Sequence, residues 1–145
     1  MEFIQLRKCS EIVDCMKLCA DDMFNKHMST EENICELADK YAKYGCFFIA
    51  LEGDEILGEV AFYCNDEVSR VGFLSMIVVR KNYQHKGIGY ELLHKVEKIC
   101  LEKDMLRLRL EVDIKNESAK HFYFKNGYRE EIIQGNSLFL IKYLL

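Results

Sequence analysis

The chain has 145 residues, half of them apolar, and a formal net charge of −4; that length predicts one domain, 1–145, with room for a single real core. Acidic and basic residues interleave, and the densest basic stretch, RKNYQHK at 80–86, is too short for a nucleic-acid surface and suits one phosphorylated ligand. No apolar run approaches the roughly 20 residues of a membrane helix, and the opening MEFIQLRKCSEIVD has no basic-then-apolar leader, so a cytoplasmic protein with no membrane contact is expected.

Residues 3–7 read as a short first strand. Ser10 then opens a helical pattern with Ile12, Cys15, Met16, Cys19, Ala20 and Met23 on one face. STEE at 29–32 is a capping-box match, with Glu32 three residues after Ser29. The helix it starts turns Ile34, Leu37, Ala38 and Tyr41 inward and stops near Gly45. CFFIALEGDEILGEVAFY reads as two strands joined by a turn at EGDE.

After the polar break CNDEVSR, the run VGFLSMIVV (71–79) is apolar enough for a central strand. The loop around Gly87 and Gly89 follows, then a helix burying Leu92, Leu93, Val96, Ile99 and Cys100. LRLRLEV (106–112) alternates with period two and predicts a fifth strand. NESAKHFYFKNG predicts a short helix capped near Asn116 and ended by Gly127, and the tail forms two strands around QGNS. This order mixes hairpins with crossovers, which predicts an α/β (α+β) domain: a mixed, twisted sheet of about seven strands with helices on both faces.

Seven cysteines, at 9, 15, 19, 35, 46, 64 and 100, include no C-x-x-C pair. Their odd count and irregular spacing indicate neither a zinc site nor a disulfide framework. Cys15, Cys19 and Cys100 fall at apolar helical positions, where a free thiol packs as a small hydrophobe. His27, His85, His94 and His121 are scattered, so no metal is expected.

Gly87 and Gly89 pose the central question, because glycine in a helix costs roughly 1 kcal/mol relative to alanine. A strand, a glycine turn and a helix together form a phosphate-binding arrangement, since the helix start offers unpaired N–H groups and glycines let an anion approach the backbone. A plain tight turn is the other reading of these residues alone. The G-x-x-x-x-G-K-[ST] loop is absent, and the dinucleotide fingerprint G-x-G-x-x-G lacks its third glycine here.

The spacing Gln84-x-x-Gly87-x-Gly89 resembles the acyl-CoA pyrophosphate loop, [QR]-x-x-G-x-[GA], of the GNAT superfamily of N-acetyltransferases. SMIVVRKNYQHKGIGYELL resembles that family's strand, loop and helix together. A second family pattern, N-x-x-A-x-x-x-Y-x-x-x-G-[FY], is matched downstream by Asn116, Ala119, Tyr123, Gly127 and Tyr128. The proline common after the family's fourth strand is Lys81 here. The resemblance in element order runs over nearly the whole chain.

This resemblance implies acetyl-CoA as co-substrate, held in a cleft where the fourth and fifth strands splay apart. Ile77, Val78 and Val79 would pair with the pantetheine arm, and Gln84, His85, Lys86, Gly87, Ile88 and Gly89 would wrap the pyrophosphate. Asn116 joins this cofactor-binding set. Tyr123 matches the position where the family places the acid that protonates the leaving thiolate. Glu59, a charge inside the strand run LGEVAFY, is the first candidate base; a solvent-facing strand residue is the other reading. Glu111 and Asp113 stand behind it, Ser75 replaces a carboxylate found in some relatives, and a chain with no dedicated base is the remaining alternative.

The implied activity is transfer of an acetyl group to a primary amine on a small molecule or a protein, by a monomer or homodimer. The competing expectation is a module that holds acyl-CoA without transferring it. Acceptor choice is assigned to the first two helices, the third-strand exit FYCND and the last hairpin, because loops carry specificity.

Overall fold

Strands that are apolar on both faces need cover on both sides. In the computed structural model, which describes residues 1–145, the chain supplies that cover. Its elements are β1 (Glu2–Gln5), α1 (Cys9–Cys19), α2 (Glu31–Tyr44), β2 (Cys46–Glu52), β3 (Glu55–Tyr63), β4 (Val71–Val79), α3 (Ile88–Glu102), β5 (Arg107–Asp113), α4 (Glu117–Lys125), β6 (Arg129–Gln134) and β7 (Ser137–Tyr143). The strands form one sheet in the order β1-β2-β3-β4-β5-β7-β6. All neighbours are antiparallel except β4 and β5, which run parallel because α3 crosses between them. The expected seven-stranded mixed sheet with helices on both faces is what the structure shows.

Two cores result. On one face Ile88, Leu92, Leu93, Val96 and Cys100 of α3 pack with Tyr123 of α4 against Phe62, Leu74 and Leu108. On the other, Ile12, Met16, Ile34, Ala38 and Tyr41 of α1 and α2 cover Phe47, Ile49, Ala61 and Met76. Each fully buried side chain such as Leu92 or Ile12 contributes about 1.5–3 kcal/mol through loss of apolar surface to water.

The α2 start differs by one residue from the capping-box reading. Thr30 is the cap, its Oγ1 accepting from the Asn33 N–H at 3.4 Å, while Ser29 Oγ donates to the Lys26 carbonyl. The helix stops at Gly45, whose amide bonds the Tyr41 carbonyl at φ −112°, so no left-handed cap is involved there.

The sheet's most consequential irregularity lies in β4. Ala61 pairs with Met76 and Phe62 with Leu74, leaving Ser75 as an extra residue on β4. Such a bulge bends a strand and increases its twist. It also breaks the period-two alternation: Leu74 packs into the α3 face, whereas Met76 and Val78 pack into the α1/α2 face. Pairing of β4 with β5 runs only from Val71↔Arg107 to Leu74↔Leu110 and ends one residue before the bulge. Beyond it, Ser75–Val79 and Glu111–Asp113 have no partner across the β4–β5 gap. The two strands splay where the bulge turns β4 away.

Candidate active site

The splay opens a cleft of about 970 Å³. Its walls are β4 from Phe73 to Val79, the loop and helix start at Gln84–Tyr90 except Lys86, β5 from Leu110 to Asp113, and the α4 residues Ala119, Phe122 and Tyr123. Asp22–Asn25 with Met28, between α1 and α2, and Asn136–Ser137, at the β6–β7 turn, close it elsewhere. The sequence assigned acceptor choice to the first two helices, FYCND and the last hairpin. The hairpin reaches the cleft at its turn; α1 and α2 themselves do not line it and only the segment between them does, and FYCND does not.

The glycine loop is built on two left-handed residues, His85 at φ +64° and Gly87 at φ +84°. Gly87 has nothing within 4 Å of where a Cβ would sit, so its requirement is conformational. A Cβ on Gly89 would meet Phe122 at 3.6 Å and Val79 at 3.8 Å, which are ordinary contacts. The fold would therefore admit a methyl group at 89, and its absence leaves the first turn of α3 bare on the cleft. Gln84 Nε2 donates to the Val79 carbonyl at 2.9 Å, tying the loop back to the end of β4.

The loop's backbone donors are the decisive feature. The N–H groups of His85, Lys86, Gly87, Ile88, Gly89 and Tyr90 donate to no acceptor within the protein; the first amide of α3 to do so is Glu91, to the Gly87 carbonyl. Consecutive unpaired amides at a helix start, with the positive end of the helix dipole behind them, form an anion site. Lys86 is not part of the cleft wall, and its Nζ lies 6.0 Å over the Tyr83 ring.

Asn116, Ala119, Tyr123, Gly127 and Tyr128 have separate local duties. Asn116 caps α4, its Oδ1 accepting from the Ala119 N–H at 3.1 Å, and it also lines the cleft. Gly127 ends the helix at φ +93°. Tyr128 donates to Glu97 at 2.7 Å and packs edge-on against Tyr123, ring centres 5.6 Å apart. That contact and Phe122, at 5.1 Å, hold the Tyr123 ring. Tyr123 is 8% exposed, lines the cleft, and has its phenol pushed above the ordinary range by burial. A phenol held neutral in this way is a proton donor.

Glu59 lies apart from these groups. It is 0% exposed, does not line the cleft, and faces α1, where the Cys15 thiol donates to Oε1 at 3.2 Å and Oε2 has no partner. Burial pushes its carboxyl up to about 7, partly offset by hydrogen bonds from Cys15 and Cys19. A base at Glu59 could reach a bound amine only through intervening groups. Glu111 and Asp113 do line the cleft, but Glu111 accepts from Ser137 and Asp113 from the Lys115 amide.

One cleft feature exceeds the sequence reading. Ser75, the bulge residue, is held by Tyr41 of α2, oxygen to oxygen 2.6 Å. A lone serine inside an apolar strand run was the available signal.

Residues 10–128 match the model of the acetyltransferase (GNAT) family. The chain belongs to that family. It is similar to spermidine N(1)-acetyltransferase of Thermoplasma acidophilum, 28% identical over 114 residues that cover 79% of this chain and 70% of that protein. It is also similar to N-alpha-acetyltransferase 30 of Xenopus laevis, 31% identical over 83 residues, but those span 56% of this chain and only 30% of the relative. The PaiA N-acetyltransferase of Thermoplasma acidophilum, crystallised with coenzyme A, shares the fold at a TM-score of 0.79 and 20% identity, with 99% of each chain covered. As a GNAT family member the protein is an N-acetyltransferase. No helix in it is long and apolar enough to cross a membrane.

Proposed function

We propose that the cleft binds acetyl-CoA and passes its acetyl group to a primary amine by direct attack on the thioester. The observation that carries this reading is the run of unpaired amides from His85 to Tyr90, opening onto the same cleft as the free edge of β4 and Tyr123. The amides suit a pyrophosphate. The β4 edge at Ile77, Val78 and Val79 suits the amide-bearing pantetheine arm, which would add to it as a strand adds to a sheet edge. Asn116 contributes at the rim of α4. Gln84 acts indirectly, by fixing the loop to Val79.

In the reaction the amine nitrogen forms a bond to the thioester carbonyl carbon, and the carbonyl electrons move to oxygen. A backbone N–H of the bulged strand β4 stabilises that oxyanion. On collapse the C–S bond breaks, and the Tyr123 hydroxyl gives its proton to the departing sulfur. The phenoxide is reprotonated by the proton that the nitrogen, made cationic by its new bond to carbon, loses from the tetrahedral intermediate. Free alkylamines have pKa values near about 10, so the amine must enter neutral. Water in the open cleft takes the proton that the free ammonium gives up before attack, distinct from the one later returned to Tyr123, and no role at the reacting atoms is assigned to the buried Glu59.

The cleft wall carries the carboxylates Asp22, Glu111 and Asp113 against the single lysine Lys125, which favours a cationic acceptor. The names of the relatives span polyamine and protein N-terminal acceptors. The test is release of free thiol from acetyl-CoA over a panel of spermidine, an amino sugar, amino acids and a short peptide with a free N-terminus. Amine-dependent thiol release supports the proposal. Binding of acetyl-CoA with no release for any amine would replace it with a non-transferring acyl-CoA module.

A further inference from the structure

Away from the cleft, the core beneath α1 contains a group of side chains that hydrophobic packing does not explain. Cys15 and Cys19, four residues apart on α1, present their thiols on one helix face. Glu59 projects from β3 against them. The two sulfurs and a Glu59 carboxylate oxygen all lie within 4.8 Å of one another, and all three residues are buried, at 3%, 0% and 0% exposure.

Glu59 Oε2 is the protein's one fully buried side-chain oxygen or nitrogen without a hydrogen-bond partner. No lysine or arginine forms an ion pair with this carboxylate. An unpaired buried carboxylate is among the most costly groups a core can contain. Two thiols and an orphaned carboxylate converging in a core are the donor set that a soft-to-borderline cation takes.

We propose that Cys15, Cys19 and Glu59 form a binding site for a thiophilic divalent cation, with Zn²⁺ the fitting member of that class. In a tetrahedral zinc site, Zn–S of about 2.3 Å and Zn–O of about 2.1 Å place the ligand atoms roughly 3.5–3.8 Å apart. Cys15 Sγ and Glu59 Oε1 already stand at 3.2 Å, and no pair exceeds 4.8 Å. Rotamer adjustments of about 1 Å therefore suffice to close the trio on an ion.

Binding forms two metal–sulfur bonds and one metal–oxygen bond. The thiol protons, and any proton on the carboxylate, leave to solvent. The ion's charge neutralises two of the three ligand anions, and the fourth coordination position falls to a water. The site ties α1 to β3, one strand from the cleft wall, since Glu59 pairs in register with Val78 of β4. The sequence pattern could not show it: Cys15 and Cys19 read as core thiols, and Glu59 lies 44 residues from Cys15 in the chain.

The experiment uses the whole chain, stripped with a chelator under reducing conditions and titrated with Zn²⁺ against a chromophoric competitor, then with Co²⁺. The background carries Cys9→Ser, Cys35→Ser, Cys46→Ser and Cys64→Ser, which removes the cysteines that are not fully buried. The expected results are one equivalent of Zn²⁺, a rise in Tm, and a Co²⁺ spectrum with thiolate charge transfer and the visible bands of tetrahedral coordination. Cys19→Ala and Glu59→Gln should each weaken binding at least tenfold. The unsubstituted protein is titrated alongside, so a variant that misfolds does not decide the matter. Absence of stoichiometric binding to the unsubstituted protein, a Co²⁺ spectrum without thiolate bands, or equal affinity after Cys15→Ala and Cys19→Ala together overturns the site.

Discussion

The hydroxyls of Tyr41 and Ser75 meet at 2.6 Å, joining helix α2 to the single bulged residue of the strand that lines the cleft. Tyr41 is otherwise a core residue at 1% exposure, packed on Phe47 and Tyr63. The bond therefore anchors the bulge to the rigid α1/α2 face, at the point where β4 leaves β5. Tyr41→Phe keeps the ring and deletes the bond, and should cost about 1 kcal/mol. A double-mutant cycle with Ser75→Ala by denaturant unfolding should show that the two changes are not additive. Additive losses would mean that the contact does not hold the bulge.

The two loop glycines should separate cleanly. Gly87 sits at φ +84° with open space around it, so Gly87→Ala should cost roughly 1–2 kcal/mol of stability through backbone strain alone. Gly89 has ordinary φ and room for a methyl group, so Gly89→Ala should leave Tm nearly unchanged. Gly89→Glu places bulk and negative charge at the first turn of α3 and should abolish acetyl-CoA binding in a folded protein. Calorimetric titration beside thermal melts reads both effects, and retained affinity in folded Gly89→Glu would remove the loop from cofactor binding.

Tyr123→Phe tests the proton donor. The ring's packing on Phe122 and Tyr128 is retained, so stability and acetyl-CoA affinity should hold while kcat falls by about 10² or more. Wild-type turnover in this variant would assign the leaving-group proton elsewhere.

Gly58 tests the sheet geometry. A Cβ there would stand 2.6 Å from the Val78 carbonyl oxygen, a backbone atom that cannot step aside. Gly58→Ala should force β3 and β4 apart and destabilise the protein by at least about 2 kcal/mol, the scale of overpacking a tight interior. Thermal unfolding that is unchanged would show the strands to be less closely apposed than this.

Much of this was legible in the sequence because local chemistry announces it. The run 71–79 is β4 to the residue, and the Gly87–Gly89 spacing marked a helix start whose amides are indeed unpaired. What escaped depended on tertiary placement. Ser75 is a plain strand serine until pairing with Ala61 and Phe62 slips by one and makes it a bulge. Thr30 and not Ser29 is the cap because α2 begins at Glu31, which leaves the extended Thr30 as the residue whose Oγ1 meets the Asn33 N–H. Glu59 stood out as a charge in an apolar strand, but only the fold shows that it turns towards α1 and two thiols and away from the cleft.

The most direct test of the account is isothermal titration of the purified protein with acetyl-CoA, with NAD and ATP as controls. One-site micromolar binding of acetyl-CoA, and none of comparable strength for the controls, is the predicted result. No heat of binding with acetyl-CoA would contradict the account, leaving the loop at Gln84–Gly89 as a turn and the cleft without the ligand assigned to it.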